Sequence, residues 1–273
     1  MIAMMHDLPV SERVRCEIVA PGIAQVTLTR ADKLNALDPA MFEALIAAGQ
    51  ALHRQTGLRS VVLAGEGRAF CAGLDLGAMA QLVENPGAPL TDRTHGTANL
   101  FQHAAMVWRT LPVPVIAAIQ GACLGGGLQL ATGADIRVTA PDARFAVMEL
   151  KWGIIPDMAG FALWRGLVRD DVLREATYTN REFGGEEAVA LGFATLVDAD
   201  PQARAMAIAG EIASRNPDAV RAAKALFNRH RELPADAVLM EESIAQARLL
   251  GSRNQREAVA SQMQRRAADF VDP

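Results

Sequence analysis

Three consecutive glycines, Gly125 to Gly127, are the feature that most constrains how this chain can fold. They lie within Gly121-Ala-Cys-Leu-Gly-Gly-Gly-Leu-Gln-Leu130, after an apolar run at residues 113–119 and before residues 129–132. The apolar run predicts a buried strand, and residues 129–132 predict the start of a helix. Inside an element each glycine costs about 0.5–1 kcal/mol relative to alanine. The run therefore indicates either a tight structural turn or a place where backbone must approach a ligand, and free N–H groups at a helix start suit an anion.

Strand, turn and helix signals alternate along the first 200 residues and predict an α/β fold. Pro21-Gly22 separates two β-rich runs, as in a hairpin. Asp38-Pro39 supplies an N-cap and a first-turn proline for a helix over residues 39–54. A second helix is predicted over residues 96–110, and the segment 77–95, with its Gly and Pro residues, reads as a loose connection.

From residue 201 onward the apolar spacing is helical throughout. This change of composition predicts an α/β core over residues 1–200 and a helical region over residues 201–273. The length of 273 residues and the 51% apolar content are sufficient for one large packed core with an appendage.

Several classes of function are disfavoured by composition. The net charge is −4 and no long basic run occurs, which argues against a nucleic-acid partner. The five histidines have no metal-ligand spacing, and no nucleotide fingerprint is present. No apolar run reaches the roughly 20 residues that a membrane span needs. The three cysteines are odd in number and unpaired in spacing, and the N-terminus lacks a signal peptide, so we expect a cytoplasmic protein with reduced thiols.

Four motifs together resemble the crotonase (enoyl-CoA hydratase/isomerase) superfamily. They are Arg30-Ala-Asp-Lys-Leu-Asn-Ala-Leu37, Ala69-Phe-Cys-Ala-Gly-Leu-Asp-Leu76, Leu124-Gly-Gly-Gly-Leu-Gln-Leu130 and Gly153-Ile-Ile-Pro156. The resemblance implies a spiral of repeated ββα units, followed by helices that form a homotrimer or a dimer of trimers. It also implies an acyl-CoA thioester as substrate, with no metal and no cofactor beyond the coenzyme A moiety.

The resemblance assigns the glycine run to one half of an oxyanion hole. The thioester oxygen would lie between the backbone N–H groups of Leu74 and Gly126, where fixed donors stabilise an enolate. For coenzyme A it implies Lys33 and the backbone around Ala72 and Leu76. Further residues implied at the coenzyme or substrate site are Arg30, Asp75, Gly125 and Pro156. For both Arg30 and Lys33 the alternative is a solvated surface cation, which explains Arg30 equally well. Lys224 is a further candidate, for a phosphate contact made from a neighbouring subunit.

Gln129 is the most informative departure from the family pattern. Hydratases of the family have a glutamate at this position and a second one at the position of Glu149. A glutamine can orient a water by hydrogen bonding but cannot accept or deliver a proton. We therefore expect double-bond isomerisation with Glu149 as the single acid/base. The alternative for Glu149 is a surface residue or one ion-paired beside Lys151.

Asp157 offers a possible second carboxylate, eight residues beyond Glu149. Dienoyl-CoA isomerases and the 4-chlorobenzoyl-CoA dehalogenase carry an active-site Asp at that place. The alternative is that Asp157 caps the helix that follows. Dienoyl isomerases also have a carboxylate where this chain has Gln129, and the Trp-rich, His-containing pocket of the dehalogenases is not evident.

The acyl pocket is predicted to draw on residues 77–110, especially Met79, Leu82, Met106 and Val107. The same spacing is equally typical of plain core, and we favour core for Met106 and Val107. The runner-up activity is hydration of a 2-enoyl-CoA. An alternative from a different functional class is a member of the family that binds CoA thioesters but has lost efficient catalysis. The RNA-binding variant of the family is disfavoured by the acidic net charge.

Overall fold

The computed structural model describes residues 8–78, 84 and 89–273. In this part of the chain one sheet contains six strands in the order β1-β2-β3-β5-β7-β10. β1 and β2 form an antiparallel hairpin, and every other neighbouring pair in this sheet is parallel. The strands are β1 Val14–Ala20, β2 Ile23–Leu28, β3 Ser60–Gly65, β5 Val115–Ile119, β7 Ile136–Thr139 and β10 Leu196–Val197.

A second, smaller sheet of four short strands forms in the same described residues, in the order β4-β6-β8-β9. Its strands are β4 Ala69–Cys71, β6 Ala122–Leu124, β8 Arg144–Ala146 and β9 Phe183–Gly184. β4, β6 and β8 run parallel to one another, and β9 is antiparallel to β8. Each strand of the large sheet from β3 to β7 is followed by one strand of the small sheet. The chain therefore winds as a spiral of β-β turns with intervening helices, as the sequence predicted.

The helices occupy the connections and the C-terminal region. They are α1 Pro39–Arg54, α2 Leu100–Thr110, α3 Gly126–Thr132, α4 Gly160–Trp164, α5 Asp170–Thr179, α6 Gly185–Leu191, α7 Pro201–Ala213, α8 Pro217–Arg229, α9 Ala235–Leu249 and α10 Arg253–Gln264. Asp38 caps α1 by accepting from the Met41 N–H, as predicted. α2 begins later than predicted because Asn99 and Gln102 form a capping box there.

The core lies between the two sheets and against α1, α2 and α3. Trp108, Phe42, Phe70 and Phe145 are fully buried in it. A smaller cluster covers the other face of the large sheet, where Ala205 and Ala209 of α7 pack against the strands. Burying each large apolar side chain contributes about 1.5–3 kcal/mol. The large sheet is therefore buried on both faces.

α9 differs from the helices that pack on the sheets, because none of its residues is buried. Leu239, Met240 and Ile244 are all exposed along it. Within the described residues no helix is long and apolar enough to span a membrane.

Candidate active site

Three loops meet at one edge of the small sheet because β4, β6 and β8 are parallel and in register. Cys71 pairs with Cys123, and Cys123 pairs with Phe145. The residues that follow the carboxyl ends of these strands must therefore lie side by side. The sequence-predicted residues Leu74, Gly126 and Glu149 follow β4, β6 and β8 respectively. Topology, rather than sequence proximity, brings them together.

The orientation of the Leu74 N–H is set by pairing with the loop before α1. Leu37 donates its N–H to the Gly73 carbonyl at 2.8 Å and accepts from the Asp75 N–H at 2.9 Å. Successive amides of an extended chain point in opposite directions, so the Leu74 N–H points away from Leu37. No described residue accepts a hydrogen bond from it.

The Gly126 N–H is the first amide of α3 and has no partner within the helix. Gly73 and Gly126 lie close together, since a β-carbon added at Gly73 would be 3.4 Å from the Gly126 nitrogen and 2.7 Å from the Leu124 carbonyl oxygen. Gly73 also has a φ of +90°. The two backbones approach so closely only because a side chain is missing at this point. Two N–H groups are thereby left available on neighbouring loops.

Glu149 begins a 3₁₀ turn, Glu149–Trp152, directly after β8. Its side chain is buried, with 7% of its surface exposed. It faces the glycine run, because a β-carbon added at Gly125 would be 3.5 Å from its Oε1. The interpretation of Glu149 as a surface residue is therefore wrong, and no ion pair with Lys151 forms.

Gln129 holds one oxygen of the Glu149 carboxylate. Its Nε2 donates to Glu149 Oε1 at 2.6 Å. Its own Oε1 accepts from the N–H groups of Met158 and Gly160, both at 2.9 Å. The side chain is 1% exposed. In the described part of the chain the other carboxylate oxygen, Glu149 Oε2, is buried without a hydrogen-bond partner.

The environment of Glu149 raises its pKa. Burial is the largest cause, because it disfavours the charged form. Hydrogen bonds to the carboxylate, including the one from Gln129, oppose this shift, while the negative charge of Asp157 adds to it. A carboxyl with a raised pKa is suited to exchanging protons near neutral pH.

Asp157 does not cap a helix, so that interpretation is wrong. The N-cap of α4 is Ala159, and no side chain caps that helix. Gln129 instead accepts the Gly160 N–H, the first amide of α4, and the Met158 N–H just before the helix. The side chain of Asp157 is exposed at the surface of the protein. Protein atoms around its carboxyl group nevertheless exclude part of the surrounding water and so raise its pKa. Its neighbour Pro156 is buried.

Arg30 is engaged within the protein and is not a solvated surface cation. Its Nη1 donates to Asp75 Oδ2 at 2.8 Å and to the Ala36 carbonyl at 3.1 Å. Asp38 lies 3.5 Å from the same nitrogen. Burial alone would raise the pKa of Asp75, but the N–H groups of Ala78 and Gly77 and the Arg30 cation outweigh it and lower that pKa.

Three more residues predicted at the coenzyme site, Lys33, Ala72 and Leu76, lie in or next to the two loops that Arg30 and Asp75 join. Lys33 is exposed at the end of a short 3₁₀ turn and has no ion pair in the described part of the chain. Ala72 donates its N–H to the Leu34 carbonyl at 3.0 Å, and Leu76 is 58% exposed. The segment 30–37 is thus tied directly to the loop that carries Leu74.

The Lys224 prediction is wrong. Its ammonium is buried and donates to Asp135 Oδ2 at 2.7 Å and to the carbonyls of Trp108 and Val113. All three donors of the lysine are therefore used within the chain. Burial lowers its pKa, and the Asp135 charge opposes that shift.

Two of the four candidates for the acyl pocket, Met106 and Val107, lie among the described residues. Val107 is buried in the main core, which confirms its alternative interpretation as a core residue. Met106 lines a cavity of about 520 Å³ beside Arg109 and Lys224. Met79 and Leu82 lie outside the described residues.

Asn35 is a supporting residue whose role was not foreseen. Its Nδ2 donates to the carbonyls of Glu66 and Ala69, and its Oδ1 accepts from the Arg30 N–H. It is fully buried and has a φ of +55°. Asparagine tolerates this left-handed conformation better than most residues. The position of Asn35 within the first motif was the signal that could have pointed to this role. Its partners Glu66 and Ala69, however, are distant in the sequence.

Comparison with known proteins agrees with this geometry. The family model described as enoyl-CoA hydratase/isomerase matches residues 19–273. The Bacillus subtilis (strain 168) protein YngF is 32% identical over 251 residues, covering 91% of this chain and 94% of its own. A peroxisomal Delta(3,5)-Delta(2,4)-dienoyl-CoA isomerase of Arabidopsis thaliana is 30% identical over 92% of this chain and 93% of its own. The crystal structure of an enoyl-CoA hydratase from Bacillus anthracis superposes with a TM-score of 0.85 at 27% identity, covering 94% and 98% of the two chains. Within the described residues no cluster of side chains could hold a metal ion.

Proposed function

Because the chain belongs to the enoyl-CoA hydratase/isomerase family, we propose that it moves the double bond of an enoyl-CoA thioester, with Glu149 as the proton-transferring group. The observation that carries this proposal is the asymmetry of the Glu149 carboxylate. Gln129 holds Oε1, while Oε2 is buried and free to take a proton. The hydrogen-bonded neighbour of Glu149 is Gln129, which cannot transfer a proton, and this supports Glu149 as the acid/base.

The reaction balances with this one carboxylate. Glu149 Oε2 removes a proton from carbon 2 of a 3-enoyl thioester, and the C–H electron pair forms a dienolate whose negative charge lies on the thioester oxygen. When the carbonyl re-forms, a double bond forms between carbons 2 and 3, and carbon 4 takes the proton back from Glu149. Nothing else is consumed, so we propose no cofactor beyond the coenzyme A moiety.

The N–H groups of Leu74 and Gly126 are proposed to hold the thioester oxygen during this step. Each such donor contributes about 2.7–4 kcal/mol to the stabilisation of an oxyanion transition state. Any side chain serves at position 74, because only the backbone N–H is used. Gly126 must leave room, and a β-carbon there would be 2.8 Å from Met158 Sδ.

Dienoyl thioesters are a second candidate substrate class. The negative charge of Asp157 raises the pKa of Glu149, so the two carboxylates interact. A pair of this kind could pass a proton along a longer conjugated chain. A relative that covers most of this chain is named a dienoyl-CoA isomerase.

The decisive experiment offers purified protein 2-enoyl, 3-enoyl and dienoyl thioesters in deuterated water. We expect isomerised product and no 3-hydroxyacyl product, with deuterium at the reacting carbons in the fraction of turnovers in which the Glu149 proton exchanges with solvent before it is returned. Glu149→Gln should lose at least 10²-fold in rate, in keeping with the usual value of a general acid/base. Hydration of the 2-enoyl thioester as the main reaction would replace the proposal by a hydratase. Binding without carbon-2 exchange would indicate an impaired, binding-only member.

The surroundings of the site suggest how coenzyme A and partner subunits are accommodated. We propose that Lys33 meets the coenzyme phosphates, because it is exposed and free of ion pairs in the described part of the chain, with the Ala72 and Leu76 backbone alongside. The unburied apolar residues of α9 support a homotrimer or a dimer of trimers. The free thiols of Cys16, Cys71 and Cys123 support a reducing, cytoplasmic setting.

A further inference from the structure

The orientation of the Gln129 amide is fixed by the backbone. Its Oε1 lies 2.9 Å from two N–H donors, those of Met158 and Gly160. An amide NH₂ in that place would face two donors with no acceptor, so only one orientation is consistent with both contacts. The NH₂ group must then face Glu149, whose Oε1 it meets at 2.6 Å.

Gly160 makes this close approach possible. A β-carbon at Gly160 would lie 2.8 Å from Gln129 Oε1 and 2.6 Å from the ring of Trp164. Gln129 therefore joins three elements: α3, on which it lies, the start of α4, and the turn that carries Glu149. With its side chain 1% exposed and its hydrogen bonds made within the protein, it is not placed to orient a water or to contact substrate.

We propose that Gln129 is a positioning residue that occupies Oε1 of Glu149, leaves Oε2 as the proton-accepting oxygen and favours the ionised form of the carboxylate. This inference rests on the proposed function, in which Glu149 is the acid/base. The amide donates to the charged form of Glu149 and so opposes the effect of burial. Because Oε1 is occupied, only Oε2 is free to approach a substrate proton.

A carboxylate at position 129 would have the opposite effect. It could still accept both backbone N–H groups, so the start of α4 would remain satisfied. Its second oxygen, however, would face Glu149 Oε1 across a hydrogen-bonding distance, and two carboxylates that close share one proton. The two backbone donors favour charge on residue 129, so the shared proton would reside on Glu149, which would then act as a base only at higher pH.

The test is therefore Gln129→Glu. This variant keeps an acceptor for the Met158 and Gly160 N–H groups and removes the hydrogen bond that Gln129 donates to Glu149. The measured quantity is the rate of carbon-2 exchange in deuterated water as a function of pH. We expect the acidic limb of the kcat/KM profile to move to higher pH by about one unit or more. Within the pH range of the acidic limb of wild type, this shift corresponds to a roughly tenfold loss of rate. The temperature of thermal unfolding should change little.

Gln102→Glu is the matched control. Gln102 Oε1 also accepts a backbone N–H at a helix start, from Asn99 at 3.1 Å, and its other partner is Arg93 rather than a carboxylate. The same change of charge there should leave the acidic limb where it is in wild type.

A second variant covers the case in which Gln129→Glu does not fold. Gln129→Met removes the donor to Glu149 without adding a charge, and the same limb should again move to higher pH. In addition, the infrared carboxyl band that Glu149→Gln abolishes should titrate at lower pH in wild type than in either Gln129 variant.

The outcomes separate this inference from the proposed function. An acidic limb and a Glu149 band that are unchanged in folded Gln129→Glu would overturn the positioning role, even if wild type isomerises. A shifted limb in the exchange assay would support the positioning role even if the product assay shows hydration instead of isomerisation.

Discussion

Arg30 and Asp75 form an ion pair, with 2.8 Å between Nη1 and Oδ2, that joins the loop before α1 to the loop that carries Leu74. Both side chains are largely buried, at 16% and 19% exposure. Asp75 also accepts from the N–H groups of Gly77 and Ala78. The pair thus holds the backbone that follows Leu74, one proposed oxyanion donor, against the loop before α1, and Arg30 contributes to the site through this contact.

Arg30→Gln and Lys33→Gln should consequently have different effects. Loss of the partly buried, charge-assisted bond in Arg30→Gln should lower the free energy of unfolding by about 1–3 kcal/mol and reduce kcat. Lys33→Gln should raise KM for a CoA thioester roughly two- to fivefold, the value of an exposed charge contact, with stability unchanged. Steady-state kinetics and chemical denaturation of both variants check this. If Arg30→Gln changed only KM, the result would show instead that Arg30 binds the phosphates of coenzyme A.

Gly73→Ala should abolish most activity. A β-carbon there would lie 2.7 Å from the Leu124 carbonyl oxygen and would push the Leu74 and Gly126 loops apart. Misplacing one oxyanion donor lowers kcat by about 10²- to 10³-fold. Gly96→Ala is the control, because Gly96 also has a positive φ but has nothing within 4 Å of the added carbon. If Gly73→Ala and Gly96→Ala lost the same activity, the cause would be backbone strain and not the displacement of the Leu74 and Gly126 loops.

Lys224→Met should destabilise the protein without affecting coenzyme binding. It leaves Asp135 and two carbonyls without their buried donor, and breaking a buried ion pair costs about 3–5 kcal/mol. Denaturant unfolding and KM for the thioester should be measured together. Lys151→Met, at an exposed position, is the control and should change stability little. A raised KM in Lys224→Met with full stability would contradict the structural role.

Glu149→Gln should become more stable relative to wild type as the pH rises. Burial raises the pKa of Glu149 above its ordinary value of 4.5, so the folded state binds this proton more tightly than the unfolded state does. Wild type therefore loses stability as the pH rises from the ordinary pKa through the raised one, and the loss is constant above it. The variant has no such loss. Unfolding free energies at pH 4 and pH 8 check this, with exposed Glu43→Gln as a control that should show no growing difference.

The three thiols should resist alkylation in the native protein. Burial raises the pKa of Cys16 and of Cys71 to about 12 and raises that of Cys123 as well. Iodoacetamide reacts with thiolates, so labelling at pH 8 should be slow until the protein is unfolded. Mass spectrometry before and after denaturation measures this. Rapid labelling of Cys71 in the native state would show that the small sheet opens.

The sequence was sufficient to predict most of the elements that frame the site. Local signals, such as Asp38-Pro39 before α1 and the turn at Pro21-Gly22, act within a few residues, and the structure reproduces them. The four motifs were sufficient to predict the family, and the family model covers residues 19–273. The start of α2 was missed by a few residues because its capping box, Asn99 with Gln102, was not recognised.

The partners of individual side chains were beyond the reach of the sequence. One interpretation of Asp157 was a helix cap, but the Gly160 N–H that it would have capped is accepted by Gln129, which lies 31 residues away in the sequence. Lys224 was a candidate for a phosphate contact from a neighbouring subunit, but its ammonium is buried against carbonyls more than 100 residues away in the sequence.

The sequence by itself determined which chemical groups are present: one glutamate at position 149, a glutamine at position 129 and glycines that permit close backbone contact. Only the tertiary structure decided what each group does, since the parallel register of β4, β6 and β8 brings three loops to one edge of a sheet. Gln129 shows the difference most clearly. Its identity excludes proton transfer, but its position between two backbone amides and Glu149 follows from packing among segments that no local interaction connects.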